Sequence, residues 1–395
     1  MSLRGTFGSL ALFVVAASSV SAATITVTNI NDSGAGSLRA ALAAAAAGDT
    51  IAFSAAATGT IPLASTLTVA LPVTIQGPGA AALTISGQGT IRVFDVVAGG
   101  GLTLSGVTIA NGSTTGTGAA IQNAATVAVA RSVITGNTAG NGGIANLAGA
   151  TITVDETTFD TNTATSVGGG ALINFGTATL TNSTLSNNAA PINGAAINTQ
   201  PAGVTTVINC TFVGNVSASI GGATSNLGTT TILDSTFSAN QATSGSGIAT
   251  GNSNVTLNND IFADGSSDAI NPVGSVTGSN DVFFNNNSAS DATGYSTTNF
   301  IAATSEPVGA LAQNGGPTQT MLPLPGGGAV CNGSIALLPA GLTRDQRGFP
   351  RVVDACLDVG AVQTSPVTVP GLSPWLLGVL GGLLVLLGMR SMRSA

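Results

Sequence analysis

The chain has 395 residues, 44% hydrophobic and only 6% charged; it lacks histidine, and all nine of its basic residues are arginine. Arg4, Arg390 and Arg393 lie at the two ends, so six arginines against 16 acidic residues leave the part between them at a formal charge of about −10. That balance repels nucleic-acid phosphates and anionic lipid, which excludes nucleic acid as a partner, and recurring Val, Ile, Leu and Phe runs exclude a disordered chain.

Residues 1–22 read as a signal peptide. Arg4 precedes an apolar stretch from Leu10 to Val15, and Val20-Ser21-Ala22 supplies small residues ahead of a cut that leaves Ala23 first. The stretch is too short to span a membrane. Export places the cysteines where disulfides persist. Cys331 and Cys356 bracket one small module and are the expected pair, while Cys210 reads as a free buried thiol.

Residues 23–100 form the N-terminal cap and first coils. Ser37 caps a short helix whose Leu38, Ala41, Leu42 and Ala45 share one face, and Gly48 stops it. This helix is expected to cover the open end of the first coil. Strands are expected at Thr50 to Phe53, Thr66 to Val69, Val73 to Gln76 and Leu83 to Ile85.

Residues 101–275 carry regular repeats. A large apolar residue returns every 25 to 27 positions, at Ile109, Ile134, Phe159, Leu185, Phe212, Phe237 and Phe262. It stands five residues after an apolar anchor such as Val129 or Val154. Asn stands eight after that anchor at Asn137, Asn162, Asn188, Asn215 and Asn240. A second motif, Gly142 to Asn146, Gly169 to Asn174, Gly194 to Asn198 and Gly221 to Asn226, comes after each of the first four. The unit is too short to be a domain and buries its apolar face only by stacking on the next. Short period-2 runs without helices between them define an all-β parallel β-helix of about 25 residues per coil, with a short N-terminal capping helix and a C-terminal capping module. Phe then forms an interior stack and Asn a structural ladder at the turns, where amides satisfy one another and tolerate left-handed backbone.

A further column, two residues after the anchor, holds Arg131, Glu156, Asn182, Asn209, Asp234 and Asn259. Arg131 and Glu156 are expected to form a surface ion pair, and Asn209 to tolerate replacement. No catalytic residue is assigned. Histidine and lysine are absent, Arg131 is the only arginine in these coils, and the acids Asp155, Glu156 and Asp160 show no compact acid–base signature. Asp260, Asp264 and Asp268 are candidate oxygen ligands for calcium, or solvated turn carboxylates. No other cofactor is indicated.

Residues 276–363 hold an irregular last coil, with Phe283 and Phe284, and the module expected to close the other end. Residues 364–395 form a linker and an apolar tail from Leu376 to Met389 that ends in arginines.

Several of these segments resemble known families. Gly169-Gly170-Ala171-Leu172 with Phe159-Asp160-Thr161-Asn162, Phe212-Val213-Gly214-Asn215 and Phe237-Ser238-Ala239-Asn240 resembles the GGAI and FxxN repeats of polymorphic outer-membrane proteins, which are β-helical adhesins. Gly36-Ser37-Leu38-Arg39-Ala40-Ala41-Leu42 resembles the CSLREA-type start of bacterial right-handed β-helices, with Gly in place of Cys, which implies that the parallel β-helix is right-handed. Gln313 to Thr318, Asp345 to Pro350 and Asp358 to Ala361 are similar to the choice-of-anchor Q domain. Val369-Pro370-Gly371-Leu372-Ser373-Pro374-Trp375 ahead of the tail resembles an IPTL-CTERM sorting signal, with Pro370, Trp375, Arg390 and Arg393 as its landmarks. Gly371 replaces the usual Thr there, and Pro374 an acidic residue.

The resemblances imply a Gram-negative cell envelope, an inner-membrane processing protease as partner, and a final place at the cell surface, in the outer membrane or outside the cell. The tail anchors the chain transiently, or permanently as a single span. The function expected is that of a non-catalytic adhesin or structural rod with an unidentified glycan or protein receptor. The alternative is a polysaccharide-binding or polysaccharide-degrading lyase or hydrolase on the same fold.

Overall fold

The computed structural model describes residues 22–285 and 300–364; residues 1–21 and the tail landmarks Pro370, Trp375, Arg390 and Arg393 lie outside that range. Strands arise where apolar and polar residues alternate, as in Thr151–Asp155, whose Ile152 and Val154 point inward and are buried. One coil passes through Thr126–Ala130, Val133–Thr135, Thr138–Asn141 and Ile144–Asn146 before returning to the first sheet at Thr151–Asp155. Equivalent strands pair in parallel, giving sheets of 11, 11, 9 and 5 strands. The molecule is an all-β parallel β-solenoid, with Leu38–Ala44 as the single α-helix among the described residues.

The apolar column stands in register along the second sheet, Ile109 beside Ile134 and so on through Phe159, Leu185, Phe212 and Phe237 to Phe262. Phe212 and Phe237 stack with ring centroids 4.5 Å apart and planes within 2°. The column runs further than the repeat suggests. Ile61 and Ile85 precede it, and Phe283 is its next rung rather than part of an irregular copy. Phe300 meets Phe283 edge-on at 5.9 Å, at the end of the stack.

At the N-terminal end the coils begin before the point where the repeat becomes visible. Thr24–Val27 is already a strand, paired with Thr50–Phe53, and the sheet continues through Pro72–Gln76 to Gly101–Ser105. Ser37 Oγ accepts from Ala40 N at 3.2 Å, which fixes the helix start, and Leu38 and Ala41 join the core that contains Val27 and Ile51. The helix ends at Ala44, short of Gly48, whose φ of +91° serves the turn into the next strand.

The asparagine ladder is buried and its amides are saturated. Asn137 Nδ2 donates to Asn162 Oδ1 at 2.9 Å, and the pattern repeats through Asn188, Asn215 and Asn240 at 2.9 to 3.0 Å. Each Oδ1 also accepts the backbone N–H of the preceding rung, as Asn188 Oδ1 does from Asn162 N at 3.0 Å. The left-handed backbone expected at these asparagines falls one residue earlier, on Gly136, Thr161, Asn187, Gly214 and Ala239. The side chain that bridges coils must leave an extended backbone, so its neighbour takes the strained corner.

A second ladder links Asn123, Asn146 and Asn174 at 2.7 and 2.8 Å in the third sheet. It stops there. Asn198, aligned with Asn174 in the sequence motif, pairs instead with Ile173, and Thr199 occupies the ladder register.

Candidate functional site

The turn between the first and second sheets positions the polar column. Arg131, Glu156, Asn182, Asn209, Asp234 and Asn259 all adopt left-handed φ, from 46° to 57°. This geometry turns each side chain out of the coil, where the column forms a polar track with two unlike halves. In the open half, Arg131 Nη1 lies 3.7 Å from Glu156 Oε2, and the arginine side chain is 65% exposed. A pair so placed contributes at most about 1 kcal/mol.

The other half is covered by the segment from residue 300 to 364. The segment packs against the flank of the coils as well as continuing from the last strand, a different placement from the end cap expected. Gln346 is its plug: Nε2 donates to Thr184 Oγ1 at 2.8 Å and to Ser183 O at 3.2 Å, and Oε1 accepts from Thr211 Oγ1 at 2.7 Å. Asn209 Nδ2 donates to Arg344 O at 2.8 Å and is fully buried, so its expected tolerance to replacement does not fit its surroundings. Asn259 and Ser334 exchange hydrogen bonds, at 2.8 Å and 3.2 Å.

At the centre Arg351, the largest fully buried side chain, donates from Nη2 to Asp234 Oδ1 at 2.9 Å and to the carbonyls of Asp358 and Gly360. Burial pushes the Asp234 carboxyl up, and the Arg351 charge pulls it back. Gln346 lies within the Asp345 to Pro350 motif, which gave no hint of its contact with the coils, and sequence reasoning missed Arg351, just after it. The visible signal for Arg351 was three arginines within Arg344 to Arg351 of so arginine-poor a chain.

Beside this track runs a buried column of small residues that ties coil to coil. Ser183 Oγ accepts from Thr157 N at 3.1 Å, and Ser235 Oγ from Cys210 N at 3.1 Å. Its last rungs are carboxyls. Asp260 Oδ1 accepts from Ser235 N, and Asp260 N donates to Asp281 Oδ1, both at 2.7 Å. Burial, then the neighbouring Asp281, pushes Asp260 well above the ordinary carboxylate range. Cys210 sits in the same column, and burial raises its thiol to about 12, which makes it unreactive.

The calcium candidates do not converge on a shared site. Asp260 is buried and bonded to backbone N–H groups, whereas Asp264 accepts from Asn285 Nδ2 at 3.1 Å and Asp268 presents its backbone carbonyl to Ser246 N. Among the described residues the one cluster of three metal-type donors is Cys331, Cys356 and Asp358. There the thiols are joined as a disulfide, with Cα atoms 4.7 Å apart, and Asp358 Oδ1 accepts from Cys331 N. Asp155 accepts from Thr181 Oγ1 and Asn182 Nδ2, and Asp160 from Ser186 Oγ and Asn187 Nδ2, all at 2.7 to 2.9 Å. These carboxylates act as cross-coil braces. Among the described residues no helix is long and apolar enough to cross a membrane.

Fold and site together define a parallel β-solenoid braced by side-chain ladders and clasped along one flank. No protein-family model matches the chain, and no curated protein does. Among solved structures, the crystal structure of pectate lyase Pel9A is similar, with a TM-score of 0.46 and 14% identity over 88% of this chain and 98% of that one. That likeness assigns no role to any residue of this chain.

Proposed function

We propose that the protein is an exported, surface-associated β-helical rod that works by adhesion or as a structural element, without turnover, and that its receptor is an extracellular glycan or protein. The observation that carries this reading is the engagement of its polar groups. Of the acids Asp155, Glu156 and Asp160, the two aspartates each accept two side-chain hydrogen bonds from the next coil on Oδ1, and Glu156, on the open half of the track, lies 3.7 Å from Arg131. General acid–base catalysis needs a group free to exchange its proton with substrate, and no histidine or lysine stands by to supply one. In this reading residues 276–363 act as a choice-of-anchor Q-like module, and residues 364–395 as linker and sorting tail for an inner-membrane protease.

Incubation of the purified chain with uronic-acid and neutral polysaccharides separates this reading from a lyase or hydrolase. Retention on cells or glycans without product supports the rod. New reducing ends or unsaturated products would overturn it.

A further inference from the structure

The outward face of the first sheet is patterned in two dimensions. One column runs from Thr24 to Thr277 with an unbroken parallel register, and every rung except Ala128 is threonine. Two positions earlier in the strands a second column carries Thr126, Thr151, Thr177 and Thr229, interrupted by Val204, and it ends in Asn254 and Ser275. Coils repeat at about 4.8 Å, and residues two apart in a strand stand about 6.6 Å apart, so hydroxyls and methyls form a lattice with those two spacings. The β-branched side chain is stiff at χ1, which holds each methyl and hydroxyl in a fixed orientation.

The hydroxyls of Thr153, Thr179, Thr206 and Thr231 take no protein partner among the described residues, so water must satisfy them. The face is also neutral on an acidic chain. The one formal charge in its outward columns is Asp155, at the edge and held by Thr181 and Asn182. A cation, an anionic polysaccharide or a basic partner finds no counter-charge there, and no aromatic side chain offers a platform for a sugar ring. Where Gly101 and Ala128 replace threonine, the face dips into a hollow of about 270 Å³, which leaves the regular array between Thr151 and Thr231.

We infer that this face binds ice. Water oxygens in the prism planes of hexagonal ice repeat at distances close to the two spacings of the array. Hydroxyls in register anchor water at lattice positions, and the methyls between them exclude water that is out of place. The inference concerns a different face from the polar track and does not depend on the receptor proposed above.

The test uses the full purified chain in a slowly growing ice hemisphere, with freezing hysteresis measured in the same buffer. The chain is expected to enter the ice several-fold more than an inert acidic protein of equal size. The double variant Thr179→Lys/Thr206→Lys should fall to the inert level while keeping its melting temperature, and Ser166→Lys, outside this array, should behave as the parent. Thr153→Lys alone substitutes for the double variant if that one does not fold. Exclusion of the parent from ice, or equal incorporation of the lysine variants, overturns the inference. Retention on microcrystalline cellulose or chitin that only the lysine variants lose, without entry into ice, also overturns it and assigns the face to a neutral glycan.

Discussion

Arg351 Nη2 and Asp234 Oδ1 meet at 2.9 Å with both side chains wholly buried, although 117 residues separate them in the chain. The pair joins the clasp to the coils, and its energetics are those of desolvated charge: removing one partner strands the other. Arg351→Met or Asp234→Leu should each destabilise the protein by about 3 to 5 kcal/mol, whereas the double change Arg351→Met/Asp234→Leu should cost less than the sum. Chemical denaturation of the three variants checks this. Additive losses would show that the two side chains do not interact.

Phe212 is stacked on Phe237 and buried on all sides. Phe212→Asp should cost at least about 4 kcal/mol through the lost packing and the unpaired charge. Asn209→Ala leaves Arg344 O and Asn182 Oδ1 without their donor and should cost about 1 to 3 kcal/mol. The melting temperatures of the two variants should therefore both fall, that of Phe212→Asp further. An unchanged Asn209→Ala protein would place that residue outside the clasp interface.

Cys331 and Cys356 close a segment of 25 residues, for which a disulfide contributes about 3 kcal/mol by restricting the unfolded chain. Under native conditions an alkylating reagent should label neither these cysteines nor Cys210, whose thiol burial holds at about 12. After denaturation without reductant only Cys210 should react, and peptide mass analysis reads all three positions. Labelling of native Cys210 at neutral pH would contradict its burial.

Burial, then the adjacent Asp264, pushes the Glu306 carboxyl up to about 7 from an ordinary 4.5. Because the folded value lies above the unfolded one, its contribution to stability is complete below about 4.5 and is lost as pH rises through about 7. Asp260 and Asp281, also raised by burial, act in the same direction. The melting temperature should thus decline across this interval, and less steeply in Glu306→Gln. Identical pH profiles for the two proteins would remove Glu306 from this role.

For the proposed sorting tail, deletion of residues 369–395 should convert a cell-associated protein into a soluble exported one. Arg390→Ser/Arg393→Ser should weaken retention, because uncharged residues cross a membrane more readily. The intact mass of surface-recovered protein is the decisive measurement. A chain still ending at Ala395 would indicate a permanent anchor instead of a processed one.

The sequence by itself determined the coil. A period of 25 to 27 residues with alternating strands admits few other architectures, because identical positions can bury a common face only by stacking. It also placed the Phe column in its true register, since a large apolar residue recurs there five positions after each anchor while the length changes fall elsewhere in the coil. It did less well where one residue could slip, as at Asn198, whose motif matches while its strand register does not. The position of residues 300–364 follows from contacts made only in the folded chain. Gln346 meets Thr184 and Arg351 meets Asp234 across long stretches of chain, with no shared period to reveal the contact. A repeat announces its neighbours because the same interaction is written many times. A single docking of irregular chain on a flank is written once, and the desolvation of its charges appears only when the two surfaces are brought together.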